Sequence, residues 1–141
     1  MPKLVVYTAI FGNYSKLIEQ PKFDNVEYVC FTDQYLKSKS WKVIVMDKNP
    51  LGEDHTRNNR YFKLLPHIHF PYFEYSVYID ANFIMKKNPH LLIEKFLTED
   101  IPMACFDHNL AIRDSRNCIY KEYDAIIELA KIKPPKDDLK I

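Results

Sequence analysis

Leu4-Val5-Val6-Tyr7-Thr8-Ala9-Ile10-Phe11-Gly12-Asn13 is the stretch on which the reading of this chain turns. Residues 4–11 form an unbroken apolar run, β-branched and aromatic, that Gly12-Asn13 breaks. A continuous run of this kind reads as a buried strand. Runs at 26–32, ending at Asp33, and at 41–46 repeat the pattern. A fourth, 75–79, ends at Asp80-Ala81-Asn82 and is expected to continue through 83–85, and 103–106 reads as a fifth. Helices are expected over 55–65 with Asp54 as its cap, over 89–97, and over 116–131. The last shows a stripe of Ile119, Tyr123, Ile126, Ile127 and Ala130 and is stopped by Pro134-Pro135. Strands alternating with helices predict an α/β fold with a mostly parallel sheet and flanking helices. The expected organisation is one domain over residues 1–132 and a charged tail over 133–141.

Composition narrows the function classes. The 141 residues suit one domain with a real core. Lys and Arg number 20 against 19 Asp and Glu, so no basic excess marks a nucleic-acid binder. Cys30, Cys105 and Cys118 are odd in number and lack the spacing of a zinc site or a disulfide framework. They read as small buried hydrophobes in a reducing compartment. The N-terminus lacks a cleavage-site pattern, and no apolar run approaches the roughly 20 residues needed to span a bilayer. A cytoplasmic protein follows, with peripheral membrane contact open to it if its acceptor is lipid-linked.

Gly12 and Gly52 are the only glycines, which argues against a dinucleotide fingerprint or a phosphate-cradling loop. A nucleotide here needs another device for its phosphates, such as a divalent cation on carboxylates aided by Lys or Arg. Asp80-Ala81-Asn82 fits that device. In an extended segment, residues two apart project to one side, offering two hard oxygens to Mg²⁺ or Mn²⁺. Equally, Asp and Asn end strands because both favour turns. Arg57, Arg60 and Lys63 recur at every third position of the helix over 55–65, where they face either a diphosphate or plain solvent. Asp33 is placed to accept from a base or ribose, or it is a turn residue. His67 and His69 lack a third ligand-type partner, and no nucleophile elbow is present.

Taken in order, these segments resemble a known family. Tyr7-Thr8-Ala9-Ile10-Phe11-Gly12-x-Tyr14 is followed by Cys30-Phe31-Thr32-Asp33 and Trp41. Arg57-x-x-Arg60-Tyr61-x-Lys63-x-x-Pro66-His67 comes next, then Tyr78-Ile79-Asp80-Ala81-Asn82. His108 precedes Arg116-Asn117-Cys118-Ile119-Tyr120-Lys121-Glu122. The series, over roughly residues 4–127, resembles the glycosyltransferase-like family once grouped as a domain of unknown function, with plant mucilage hexosyltransferases and bacterial relatives. The resemblance implies a Rossmann-like, GT-A-type fold that binds a nucleotide sugar, often with Mn²⁺ or Mg²⁺. It assigns Thr8, Ala9, Phe11, Gly12, Asn13 and Tyr14 to a nucleotide loop and Asp33 to the base or ribose. Arg57, Arg60 and Lys63 fall near the diphosphate, and Asp80 with Asn82 at the metal position. His108, Arg116, Tyr120 and Glu122 line the far side of the cleft. Three departures stand out: Asp-x-Asn replaces Asp-x-Asp, residues 110–115 lengthen the stretch before Arg116, and the chain is short at its C-terminus.

The resulting expectation is a hexosyltransferase that moves a sugar from a nucleotide-sugar donor to a glycan or lipid-linked acceptor. Asp80, Arg60, Lys63 and His108 are its catalytic candidates, and Arg116 joins the donor-binding set. The alternatives are a truncated or non-catalytic homologue that only binds, and a nucleotidyltransferase.

Overall fold

The computed structural model describes residues 2–106 and 119–132. The chain divides into two compact units, residues 1–102 and 103–141. The first holds strands β1 (Leu4–Ile10), β2 (Val26–Thr32) and β3 (Lys42–Val45), helices α1 (His55–Leu64) and α2 (Pro66–His69), strand β4 (Tyr75–Tyr78) and helix α3 (His90–Phe96). The four strands form one sheet in the order β3-β2-β1-β4, and every pairing is parallel. This is a Rossmann-like α/β arrangement. The second unit contributes α4 (Ile119–Ile132). Its Ile127 is half-buried, whereas Tyr123 and Ile126 are exposed at 41% and 42%. No described helix is long and apolar enough to cross a membrane.

Every residue of β1 is buried, as its unbroken apolar run predicts. Alternation along the strand sends its side chains into two separate clusters. Val5, Tyr7, Ala9 and Phe11 meet Val29, Phe31, Phe62 and Phe70 on one face. Leu4, Val6 and Ile10 meet Tyr28, Cys30, Trp41 and Ala81 on the other. On the first face α1 is seated by Phe62, whose ring stacks on Phe31 at 4.3 Å and on Phe11 at 5.4 Å. Burying such a ring contributes about 2–3 kcal/mol, against about 1 kcal/mol for a hydrogen bond, so the stack carries the docking of α1. The hydrogen bond donated by the Tyr7 hydroxyl to the Lys63 carbonyl, at 2.7 Å, sets its register.

The alternation of strands with helices is corrected by the structure. Helices lie between β3 and β4, but the crossovers over residues 11–25 and 33–41 are irregular. Asn13 and Asn25 adopt positive φ of 55° and 56°, and Pro21 interrupts the first crossover, so neither end supports a helix. The second face is instead covered by Leu17, Phe23 and Leu36 from these loops, together with Ile93 of α3. The loops are held by polar contacts. Glu19 accepts from the Ser38 hydroxyl, the Lys39 and Ser40 amides and the Ser40 hydroxyl. The Trp41 indole donates to the Ile18 carbonyl at 2.8 Å.

One expected strand and one expected strand extension are absent from the described residues. Residues 83–85 do not extend β4, because the Phe83 amide donates to the Asp80 carbonyl at 2.9 Å and closes a turn. Residues 103–106 are irregular, with Met103 81% and Phe106 68% exposed, and pair with no strand among the described residues.

Helix α1 starts where expected. Asp54 caps it by accepting from the Arg57 amide at 3.0 Å. It stops before Pro66, which opens α2. Gly12 sits against its first turn, at φ +73°, with its amide 3.2 Å from the Asp33 carboxylate. A Cβ at Gly12 would lie 2.5 Å from the His55 ring.

Gly12→Ala is expected to destabilise the fold by about 2 kcal/mol or more, from left-handed strain plus the His55 clash, a loss of several degrees in melting temperature. Adding His55→Ala should recover the steric share. A single variant as stable as wild type would refute this packing. Glu19 is held down to about 2, chiefly by the Ser40 hydroxyl and the Lys39 amide, from an ordinary 4.5. A depressed carboxylate stabilises above its unfolded pKa and loses that effect as pH falls through its folded one. Glu19→Gln should therefore melt below wild type at pH 7, and the gap should close between about pH 4.5 and 2. A gap constant over that range would refute the Glu19 clamp.

Candidate functional site

β1 is the point at which the sheet changes direction. From it the chain runs outward through β2 to β3, then returns to place β4 on the opposite side. In open parallel sheets such a switch leaves a crevice beyond the carboxyl ends of the two strands. Here the crevice is a cleft of about 530 Å³. Its floor is the end of β1, at Ala9 and Ile10, and the end of β4, at Tyr78 and Asp80-Ala81-Asn82. Tyr14 and Ser15 of the first crossover form one wall, and Thr56, Asn59, Arg60 and Lys63 of α1 form another.

The helical phase of α1 sorts the three cations that the sequence grouped together. At 3.6 residues per turn a row of every third residue drifts around the helix, whereas residues 56, 59, 60 and 63 stay on one stripe. Arg60 and Lys63 therefore enter the cleft with Thr56 and Asn59. Arg57 turns off that stripe, with its guanidinium 3.7 Å from the Asp54 carboxylate. It borders a smaller apolar groove of about 270 Å³ with Leu51, Tyr61, Leu64 and Leu65, which Arg60 also touches. That groove is lined by no acid, whereas the larger cleft joins cations to a carboxylate, so the larger one is the candidate site.

The Lys63 ammonium lies 4.6 Å from the centroid of the Tyr78 ring, within range of a cation–π contact. Tyr78 itself is a neutral phenol, since burial first and the nearby Asp80 carboxylate second push its hydroxyl well above the ordinary range. Burial likewise pushes Tyr7 up to about 12. The charged side-chain types among the described lining are Arg60, Lys63 and Asp80, two basic against one acidic.

Asp80 and Asn82 both face the cleft, but from a turn and not from the extended segment expected. Ala81 between them is 5% exposed and packs into the core, while both neighbours are exposed. The pair supplies a carboxylate and an amide oxygen, the hard donors that Mg²⁺ and Mn²⁺ prefer. Such an ion completes its shell from phosphate oxygens and water. Among the described residues no group of three or more His, Cys, Asp or Glu could hold a metal without such help. The donor set therefore fits a divalent cation only where a bound ligand supplies further oxygens.

Other expected residues are elsewhere. Thr8 is wholly buried within β1, and Phe11 is wholly buried under Phe62, so neither side chain lines the cleft. Gly12 serves the backbone, and Asn13 beside it is exposed at positive φ and is also absent from the lining. Asp33 receives the Gly12 amide and stands 3.6 Å from the His55 Nδ1, so it anchors the loop outside the cleft. His69 sits among the Phe31, Tyr61 and Phe62 rings, where burial lowers its pKa. Tyr120 is exposed on α4. His108, Arg116 and the Glu122 side chain lie outside the described residues. Ser15, Thr56, Asn59 and Tyr78 were not anticipated, whereas Ile10 falls within the stretch 8–14 that the resemblance gives to the nucleotide loop. For Thr56 and Asn59 a signal existed in their spacing from Arg60 and Lys63.

Comparison with known proteins bears on this cleft. The sequence model of the TOD1/MUCI70 glycosyltransferase-like domain matches residues 27–141. A protein of Arabidopsis thaliana named "Probable hexosyltransferase MUCI70" is 32% identical over 88 residues, 62% of this chain and 13% of that protein. This chain thus spans a small part of that relative's length. No solved structure matches.

Neither described thiol lines the cleft, and the expectation that the cysteines are buried holds for Cys30 and fails for Cys105, while Cys118 lies outside the described residues. Burial pushes Cys30 up to about 12, whereas Cys105 is exposed. Iodoacetamide on the native protein at pH 8 should label Cys105 well before Cys30, read by peptide mass mapping. Equal labelling would contradict the placement of Cys30 in the core.

Proposed function

This chain belongs to the TOD1/MUCI70 glycosyltransferase-like family, and on that premise we propose that its cleft binds a nucleotide-sugar donor for hexosyl transfer. The observation that carries the reading is the convergence of Arg60, Lys63, Asp80 and Asn82 at the β1/β4 switch point. Arg60 and Lys63 would grip the diphosphate, and their charge would stabilise the leaving group as negative charge builds on it. Asp80 and Asn82 would hold a divalent cation, which supplies Lewis-acid stabilisation to the same oxygens when bound. Tyr14, 78% exposed at the rim, offers a face on which a base can stack. Thr56, Asn59 and Ser15 offer hydrogen bonds to ribose or sugar hydroxyls. The acceptor in this proposal is a glycan or a lipid-linked acceptor.

One observation favours a second reading. Asp80 is the sole carboxylate among the described residues lining the cleft. A carboxylate engaged with a cation does not also serve as a base. On this reading the cleft binds the donor, and an inverting reaction takes its base from a group outside the described lining.

Thermal melting with nucleoside diphosphates and nucleotide sugars, each with and without Mn²⁺, tests the proposal. A ligand at about 100 times its Kd stabilises by about 2.7 kcal/mol, a shift of several degrees. Asp80→Ala should remove the Mn²⁺-dependent part of the shift. Arg60→Ala should weaken diphosphate binding about tenfold or more and spare the nucleoside, since it loses a charge-assisted bond, while Arg57→Ala should change neither. The absence of a nucleotide-dependent shift in wild type would overturn the donor-site reading.

A further inference from the structure

The turn bearing Asp80 and Asn82 extends beyond the sheet. The last sheet-like bond at this edge is donated by the Ile79 amide to the Tyr7 carbonyl at 3.1 Å. Past it, the turn's own bond from the Phe83 amide to the Asp80 carbonyl is joined by contacts from residues 18–20 of the first crossover. The Ile18 amide donates to the Ala81 carbonyl at 3.1 Å. The Gln20 side-chain amide donates to the Phe83 carbonyl at 2.7 Å and to the Ile18 carbonyl at 3.1 Å. Its oxygen accepts from the Met85 amide at 2.8 Å. Gln20 is 7% exposed, so both amide protons and its oxygen are committed inside the protein. Its backbone is committed as well, with its amide donating to the Ser40 hydroxyl at 2.8 Å. That hydroxyl in turn donates to Glu19.

We infer that Gln20 is the positioning residue of this site: it holds the Asp80–Asn82 turn in the geometry that lets both oxygens meet one cation. The inference rests on the donor-site reading above. Gln20 does not line the cleft, so it acts only through the turn. Its bonds to Phe83 and Met85 fix the chain just beyond Asn82, and the Ile18 bond holds Ala81 between the two cation-facing residues. The buried amide also fits no other side chain's bonding. A Glu would turn a charged oxygen toward two carbonyls, and an apolar residue would leave the Phe83 carbonyl and the Met85 amide unpaired in the interior. A residue that orients a ligand without touching the metal commonly governs affinity for it by 10- to 100-fold.

The test uses Gln20→Met, close in volume and without hydrogen-bonding capacity, and Gln20→Glu, which keeps an acceptor for Met85 and loses the donor to Phe83. Two properties are read on the full chain. Hydrogen exchange should accelerate at Met85 in Gln20→Met, and less so in Gln20→Glu. Calorimetry with pyrophosphate should show its affinity in the absence of Mn²⁺ unchanged, while the increment added by Mn²⁺ falls about tenfold or more. In an Asp80→Ala background Gln20→Met should add no further loss, because both changes act on the same cation. A purely structural role would lower both affinities together and would add to Asp80→Ala. That pattern, or unchanged exchange at Met85, overturns the inference. A wild type that shows no Mn²⁺ increment overturns the donor-site reading instead, and the exchange at Met85 then decides the role of Gln20 in the turn by itself.

Discussion

A parallel strand buried on both faces needs two covers, and β1 has to receive both from one short chain. The Phe62 stack brings α1 down on one face, and loop residues Leu17, Phe23 and Leu36 with Ile93 close the other. The site inherits its geometry from these two covers. The first delivers Arg60 and Lys63 to the end of β1. The second delivers residues 18–20, on which the Asp80 turn rests. Burial of a single strand thus couples the cationic wall of the cleft to its acidic floor.

The two covers are built differently, and the difference follows from local chemistry. α1 has a capped start at Asp54 and a proline boundary at Pro66, so its face is rigid and its phase is set by the helix itself. The irregular cover lacks a backbone ladder of its own. Its rigidity comes from side chains that satisfy backbone groups: Glu19 on Lys39 and Ser40, Trp41 on Ile18, Tyr28 on Pro21 and Gln20 on Phe83 and Met85. Buried backbone polar groups must be paired, and in a loop that task falls to such residues. Polar residues that look incidental in a loop are therefore what hold the floor of the cleft.

The family match and the cleft are separate observations. The match over residues 27–141 assigns the glycosyltransferase-like class. The cleft independently combines two cations with a carboxylate and an amide oxygen at the switch point of a parallel sheet. Neither relies on the other, since the family match says nothing of which side chains converge.

The amino-acid sequence alone located the four strands: β1 and β2 by apolar runs that bury, and β3 and β4 by shorter β-rich runs that are only partly buried. It determined the start of α1 through the capping chemistry of Asp54, and it marked Arg60, Lys63 and Asp80 as the residues worth watching. Tertiary structure decided the rest. A run such as 103–106 carries no information about whether a partner strand exists, and residues 83–85 yielded to a turn that no periodicity announces. Leu17, Phe23 and Leu36 cover a face without any repeat, because a loop places side chains by its path and not by a period. The separation of Arg57 from Arg60 and Lys63 needed the helix to be docked, since only the contact of Phe62 with the sheet fixes which stripe faces the cleft. The role of Gln20 was hidden for the same reason: its partners lie 63 and 65 residues away in sequence, and only folding brings an amide and the backbone it satisfies together.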